Sequence, residues 1–220
     1  MSKAFALASI AIAIYLQGYG QSLTLEKSKL TPVNVHMSLE KLDKKDVVKV
    51  VKDSTVKEVD EATFVRLSEI SFQNGSIEVD VLSKLTSNAT PTARGFIGIA
   101  FRINDDNSRF ECLYIRPTNG RAEDQVRRNH SIQYFSYPDF KFPRLRKEFP
   151  EKYESYADMG LNEWITLKIV VKGRDARFYI NNSNQPSLVV TDLKLDSSGA
   201  IGLFVDVGTE GYFSNIRISK

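Results

Sequence analysis

From position 76 to 81 the chain reads Ser-Ile-Glu-Val-Asp-Val, apolar and polar residues in strict alternation. A period of two places Ile77, Val79 and Val81 on one side of an extended strand and Ser76, Glu78 and Asp80 on the other. Such a run fits a sheet with one face in a core and one toward solvent. The pattern recurs. Further β-rich runs span 47–52, 62–67, 95–103, 109–116, 131–136, 164–172, 176–180, 188–191, 199–206 and 211–219. In the run at 95–103, Ile97, Ile99, Phe101 and Ile103 share a face. Asn, Gly and Asp punctuate the gaps, as at Gln73-Asn74-Gly75 and Gly173-Arg174-Asp175. Eleven short strands without a long amphipathic helix exclude a βαβ fold. They predict an all-β, two-sheet antiparallel jelly-roll sandwich.

Composition narrows the function. At 220 residues, 42% hydrophobic and 26% charged, the chain is neither disordered, fibrous nor a polytopic membrane protein. A single cysteine, Cys112, excludes an intramolecular disulfide and a cysteine-based zinc cluster; it is expected as a small buried strand residue. Two histidines exclude a multi-histidine metal site, and no metal is expected. Asn104-Asp105-Asp106-Asn107 reads as a tight turn rather than a calcium loop. The formal charge of +3 provides no global field for nucleic acid. Lys141 to Lys147 is basic, but Glu148 and Glu151 dilute it, so nucleic acid is not an expected partner. No phosphate-binding glycine loop, dinucleotide fingerprint or Gly-x-Ser-x-Gly elbow occurs, and no cofactor is expected.

Met1-Ser2-Lys3 precedes an apolar run from Ala4 to Leu16, with Gly18 and Gly20 following. A 13-residue apolar run is too short to span a bilayer as a stable helix. They match a secretory signal over residues 1–20, cleaved near Gly20. The expectation is a secreted or periplasmic protein whose residues 21–220 form one domain, with no membrane span in the mature chain.

The segment from Thr118 to Leu161 is far longer than an ordinary connection. Its eight aromatic residues are Tyr134, Phe135, Tyr137, Phe140, Phe142, Phe149, Tyr153 and Tyr156, over a third of the chain's total. A short helix is expected from Glu151 to Met159, after Pro150. This excursion is expected to pack its own apolar cluster and to shape a site.

The run at 74–81 resembles a strand of the concanavalin A-like lectin/glucanase superfamily. Gly95-Phe-Ile-Gly-Ile-Ala-Phe-Arg102 and Phe110-Glu-Cys-Leu-Tyr-Ile-Arg-Pro117 are similar to strands of the same group. The runs Gly199 to Val205 and Tyr212 to Ile218 look like closing strands of its laminin G-like and 3-keto-disaccharide hydrolase-like branches. The resemblance covers about residues 45–220. It implies a jelly roll whose concave face binds or cleaves carbohydrate. Family 16 glucanases of this fold carry a Glu-x-Asp-x-x-Glu strand. Glu78 and Asp80 match its first two acids, but Ser83 replaces the third, which argues against that retaining mechanism.

Three functions stay open. The leading one is a lectin-like domain that recognises a glycan on the concave face and the adjacent long loop. Its contacts would come from Arg102, Arg116, Asn119, Asp124, Arg127, Arg128, Gln133, Tyr134 and Tyr137. Guanidinium, amide and carboxylate groups match sugar hydroxyls, and tyrosine rings stack on a pyranose. The arginine excess in this stretch would also tolerate an acidic sugar. The second function is glycoside cleavage, with Glu78, Asp80 or His130 as proton-transfer groups. Residues two apart on a strand lie about 6.5–7 Å from each other, within the carboxylate spacing of glycosidases. The third is a protein-interaction module, since sandwich faces also serve adhesion.

Overall fold

A computed structural model describes residues 21–23 and 25–220; the expected signal segment and its cleavage position lie outside them. The chain is all-β. Its first strands are β1 (Gln21–Ser22), β2 (Leu30–Val33), β3 (Val35–Leu42), β4 (Lys45–Lys52) and β5 (Phe64–Phe72). Next come β6 (Gly75–Leu85), β7 (Ile97–Ile103), β8 (Phe110–Ile115), β9 (Ile132–Tyr137) and β10 (Glu154–Ser155). The last are β11 (Trp164–Lys172), β12 (Asp175–Ile180), β13 (Leu188–Val190), β14 (Gly199–Val205) and β15 (Thr209–Ser219). Among the described residues the α-helices are three short ones, α1 (Pro117–Gly120), α2 (Gln125–Asn129) and α3 (Phe142–Glu148), in the excursion after β8.

The strands form two antiparallel sheets. One runs β13-β12-β11-β6-β15-β4-β3, with β1 added to β15; the other runs β10-β9-β8-β7-β14-β5-β2. All eleven expected strands are present. The four additional ones, β1, β2, β3 and β10, lie at edges or add to one strand locally. Pro32 in β2 cannot donate to a ladder and is tolerated at an edge. Most of β3 is exposed or half-buried, so its sequence lacks clear alternation.

Ile77, Val79 and Val81 of β6 point into the sandwich together with Ile165, Leu167, Ile169 and Val171 of β11. Across from them stand Ile97, Ile99 and Phe101, paired with Ile115, Leu113 and Glu111 of β8. Side chains of Ile97 and Val205 reach Gly211 of the opposite sheet, which fixes this face as the inner one. Cys112 is buried in β8, as expected.

The second sheet departs from one-face burial. Every residue of β7 and β8 is buried, so both faces are covered. The excursion roofs the outer face, and its Leu145, Tyr153 and Met159 join the main apolar core instead of forming a separate cluster. The expected helix over 151–159 is absent. Tyr153 is buried and its carbonyl accepts from Tyr134 N at 2.9 Å, while Glu154 pairs with Gln133 in the sheet. The helix forms earlier, where Pro143 occupies the first turn of α3 and its fixed φ favours the start. Asn104 to Asn107 is the expected turn. Asn104 Oδ1 accepts from Arg109 N, Asp106 Oδ1 accepts from Ser108 N, and Asn107 adopts φ +60°.

Candidate functional site

Residues paired across antiparallel strands point to the same side. Gly98 pairs with Tyr114 and Phe204, Tyr114 pairs with Gln133, and Ala100 pairs with Cys112, itself opposite Phe135. These residues form the outer face of the seven-stranded sheet. Tyr114, Phe135 and Phe204 pack there with centroids 5.6–5.8 Å apart. A Cβ on Gly98 would come within 2.3–2.5 Å of the neighbouring β8 backbone, so only glycine lets the two strands approach as they do.

Beside these rings opens a cavity of about 470 Å3. The 92–96 segment contributes Thr92, Arg94 and Phe96, while the 59–60 and 206–207 turns contribute Asp60 and Asp206. The excursion contributes Asn119, Asp124, Val126, Arg127, His130, Phe142 and Arg146. Tyr114 and Arg116, at the end of β8, form the back wall.

Arg116 is the hub. Its Nη1 donates to His130 O and Glu154 Oε1, both at 3.0 Å, and its Nη2 donates to Tyr114 Oη at 2.8 Å and Gln133 Oε1 at 3.1 Å. Its guanidinium lies 5.1–6.0 Å from the ring centroids of Tyr114, Phe142 and Phe96. A buried cation is thus both hydrogen-bonded and enclosed by ring faces.

Two short helices carry the front wall. Asp124 caps α2, accepting from Val126 N at 2.8 Å and Arg127 N at 3.3 Å. Asn119 Nδ2 donates to His130 O at 3.1 Å, while its Oδ1 accepts from Arg127 Nε at 3.0 Å. His130 Nδ1 lies 2.9 Å from Glu154 Oε2. Burial lowers the pKa of the His130 imidazole, against the opposing pull of Glu154. Glu154 also accepts from Arg146 Nε at 3.0 Å. Burial is the largest single influence on its carboxyl and raises the pKa, but the hydrogen bonds and charges of Arg146 and Arg116 together outweigh it and lower the pKa.

The floor is built on carboxylates from distant loops. Asp206 Oδ1 accepts from Lys52 Nζ at 2.6 Å, and Asp206 Oδ2 accepts from Asp60 N at 2.9 Å. Asp60 sits in the left-handed region at φ +52° and accepts from Phe142 N at 2.8 Å, which ties the floor to α3. Burial, helped by the Asp206 charge, pushes the Asp60 carboxyl up to about 6; the Phe142 N–H and Arg116 oppose this. A buried acid of this kind can hold or release a proton near neutral pH.

The structure brings together Arg116, Asn119, Asp124, Arg127 and His130 at this cavity, with Gln133 behind Arg116. It disperses the others. Glu78 and Asp80 lie on the outer face of the eight-stranded sheet, on the far side of the sandwich from His130. There Glu78 pairs with Arg217, and Asp80 accepts from Lys45, Thr166 and Asn215 at 2.6–2.9 Å. Burial is the largest single influence and raises the Asp80 pKa, but those partners together outweigh it and bring the carboxyl below its usual value. It is an outward polar face satisfied by its neighbours. Ser83 is buried and donates to Gly95 O at 2.8 Å.

Arg102 is fully buried and donates to the carbonyls of Gln73, Gly173 and Leu195, pinning three turns instead of facing a ligand. Tyr134 belongs to the inner face. Its ring is buried against Tyr153, and its hydroxyl donates to Glu111 at 2.6 Å, so it offers no stacking surface. Tyr137 stacks on Phe110 and donates to Glu61 at 3.0 Å; it does not line the cavity. Arg128 donates to Gln125 at 2.6 Å and lies over Tyr156, also outside it. The rings that do line the cavity, Phe96, Tyr114 and Phe142, and the charged groups Asp60, Arg94, Arg146 and Asp206, were not singled out as site residues from sequence.

A two-sheet jelly roll with a polar, ring-walled cavity on one outer face defines the class of this protein. The chain belongs to the 3-keto-alpha-glucoside-1,2-lyase-like domain family, whose model matches residues 28–219. Among solved structures it is similar to the carbohydrate-binding module CBM66 from Bacillus subtilis. That likeness has 15% identity, a TM-score of 0.58, and coverage of 87% of this chain and 96% of the other. It is also similar to a protein of unknown function with a galectin-like fold from Bacillus subtilis, at 11% identity and a TM-score of 0.57, covering 91% and 96%. At these identities both show the fold. No curated protein matches the chain.

Proposed function

We propose that this protein binds a carbohydrate in the cavity on the outer face of the seven-stranded sheet. The carrying observation is the union of half-buried ring faces (Phe96, Phe142), backed by the buried Tyr114, and directional polar groups (Asn119, Arg127, His130, Asp60) around one opening of about 470 Å3. That volume falls within the range of small-molecule sites, and the mixture suits a sugar's apolar ring faces and polar rim. A carbohydrate-binding module of similar fold and the family's glycoside-directed name support the reading. Among the described residues no helix is long and apolar enough to cross a membrane. With the apolar run at 4–16 read as an export signal, the ligand would be met outside the cytoplasm.

A second reading, glycoside cleavage at the same site, draws on the titration of Asp60 near pH 6. Asp60 and His130, not Glu78 and Asp80, are then the proton-transfer groups. One experiment separates the two. The mature chain is incubated with a panel of oligo- and polysaccharides, 3-keto glycosides included, and both retention and product release are recorded. Retention without products is the expected result. Products that vanish in Asp60→Asn would establish cleavage. No retention and no products across the panel would sink the carbohydrate reading.

A further inference from the structure

Four arginines line the cavity, and they are not equivalent. Arg116 and Arg146 share the Glu154 carboxylate. Arg94 donates from Nη1 only to the backbone carbonyls of Pro91 and Ala93, at 2.6 and 2.9 Å. Arg127 donates only to the neutral oxygens of Asn119 and Thr118. Among the described residues neither Arg94 nor Arg127 has a carboxylate at ion-pair distance. Arg94 Nε and Nη2 and Arg127 Nη1 have no hydrogen-bond acceptor there.

The acids at the cavity do not fill this gap. Asp124 is occupied with the first turn of α2, Asp206 with Lys52, and Asp60 with Phe142 N. Two guanidinium groups without counter-charges at one cavity repel each other and their neighbour Arg116. Burial together with these two like charges lowers the Arg94 pKa. A fold keeps such a cluster at a cost, which an arriving anion relieves.

We propose that the cavity selects a sugar bearing a carboxylate, a hexuronic acid residue, held between the free edges of Arg94 and Arg127. The planar guanidinium fork matches a carboxylate bidentately, and the half-buried wall limits screening by salt. This rests on the carbohydrate reading above and names its ligand class. The arginine surplus visible in the 116–128 segment does not itself make the site. Arg121 is consumed by Asp158 and Glu163, and Arg128 lies elsewhere, so of that group Arg127 alone contributes a free edge.

The test uses the mature chain and a series of uronate oligosaccharides, each paired with its carboxyl-reduced, neutral counterpart, in calorimetric titrations at low and high salt. At least one uronate is expected to bind about tenfold or more tightly than its reduced partner, with the gap shrinking as salt rises. In Arg94→Ala and Arg127→Ala that ratio falls toward one. In Arg94→Lys and Arg127→Lys, which keep the charge but lose the fork, it falls partway. Melting curves confirm that each variant is folded. Equal affinity for acidic and neutral partners overturns the uronate proposal while leaving the carbohydrate reading standing. So does displacement by free sulfate as effective as by the uronate. Binding of no saccharide, acidic or neutral, overturns both.

Discussion

Replacing Lys52 by methionine is expected to remove about 3–5 kcal/mol of folding stability. Lys52 ends β4 in one sheet, and its ammonium crosses to Asp206 just after β14 in the other; their side chains are only 5% and 3% exposed. It also donates to Glu58 O in the 53–63 loop. Methionine fills the stem's volume but leaves Asp206 charged and buried beside Asp60. Adding Asp206→Asn to Lys52→Met should recover only part of the loss, because the uncompensated charge disappears but the Asp60 and Val207 amides, which donate to separate oxygens of Asp206, must then share one. Urea melts of the three variants measure this. A loss below about 1 kcal/mol for Lys52→Met would mean that water reaches the pair and that the cavity floor is not closed as described.

The second large effect has the opposite sign. Burial pushes the Asp60 carboxyl up to about 6 in the folded protein, from an ordinary value of 3.8. Below about pH 4 the group is protonated in both states and its burial carries no charge penalty. As pH rises from 4 through 6, the unfolded chain releases the proton while the folded chain retains it, so stability falls. Above the folded value the loss is complete, on the order of 3 kcal/mol. Asp60→Asn keeps an acceptor for Phe142 N and never ionises. It should therefore be more stable than the parent by about 2 kcal/mol at pH 7.5, with the decline between pH 4 and 6 flattened. Thermal melts across that range decide the point. Equal or lower stability at pH 7.5 would show that Asp60 is well solvated or paired when charged.

Much of the fold was legible because a period-two pattern reports directly which residues a sheet must bury. Ile77/Val79/Val81 and Ile97/Ile99/Phe101 identified their inner faces correctly. Edge strands escaped notice for the same reason: β3 buries little on either side, and β2 contains a proline. Alternation is silent on what covers the other face. The outward acids of β6 read the same whether they meet solvent or ligand, and here they meet Lys45 and Arg217.

The excursion was conspicuous for its length and aromatic content, and it supplies nearly half of the cavity lining. Its rings were harder to assign. Tyr134 in β9 and Tyr114 in β8 lie on paired strands, yet their opposite parity sends one inward beside Glu111 and the other outward beside Arg116. Asp60 and Asp206 lie almost 150 residues apart and meet only because β14 pairs with β5. A linear reading has no signal for that pairing.

The central claim is that a saccharide enters the cavity between the 92–96 segment and the excursion. Amide chemical-shift mapping of residues 21–220, titrated with the tightest-binding saccharide, tests it most directly. Shifts should concentrate at Arg94, Phe96, Asn119, Arg127, His130 and Phe142, leaving Glu78, Asp80 and their neighbours on β6 and β11 still. Shifts centred on the Glu78/Asp80 face, or scattered without focus, would contradict it.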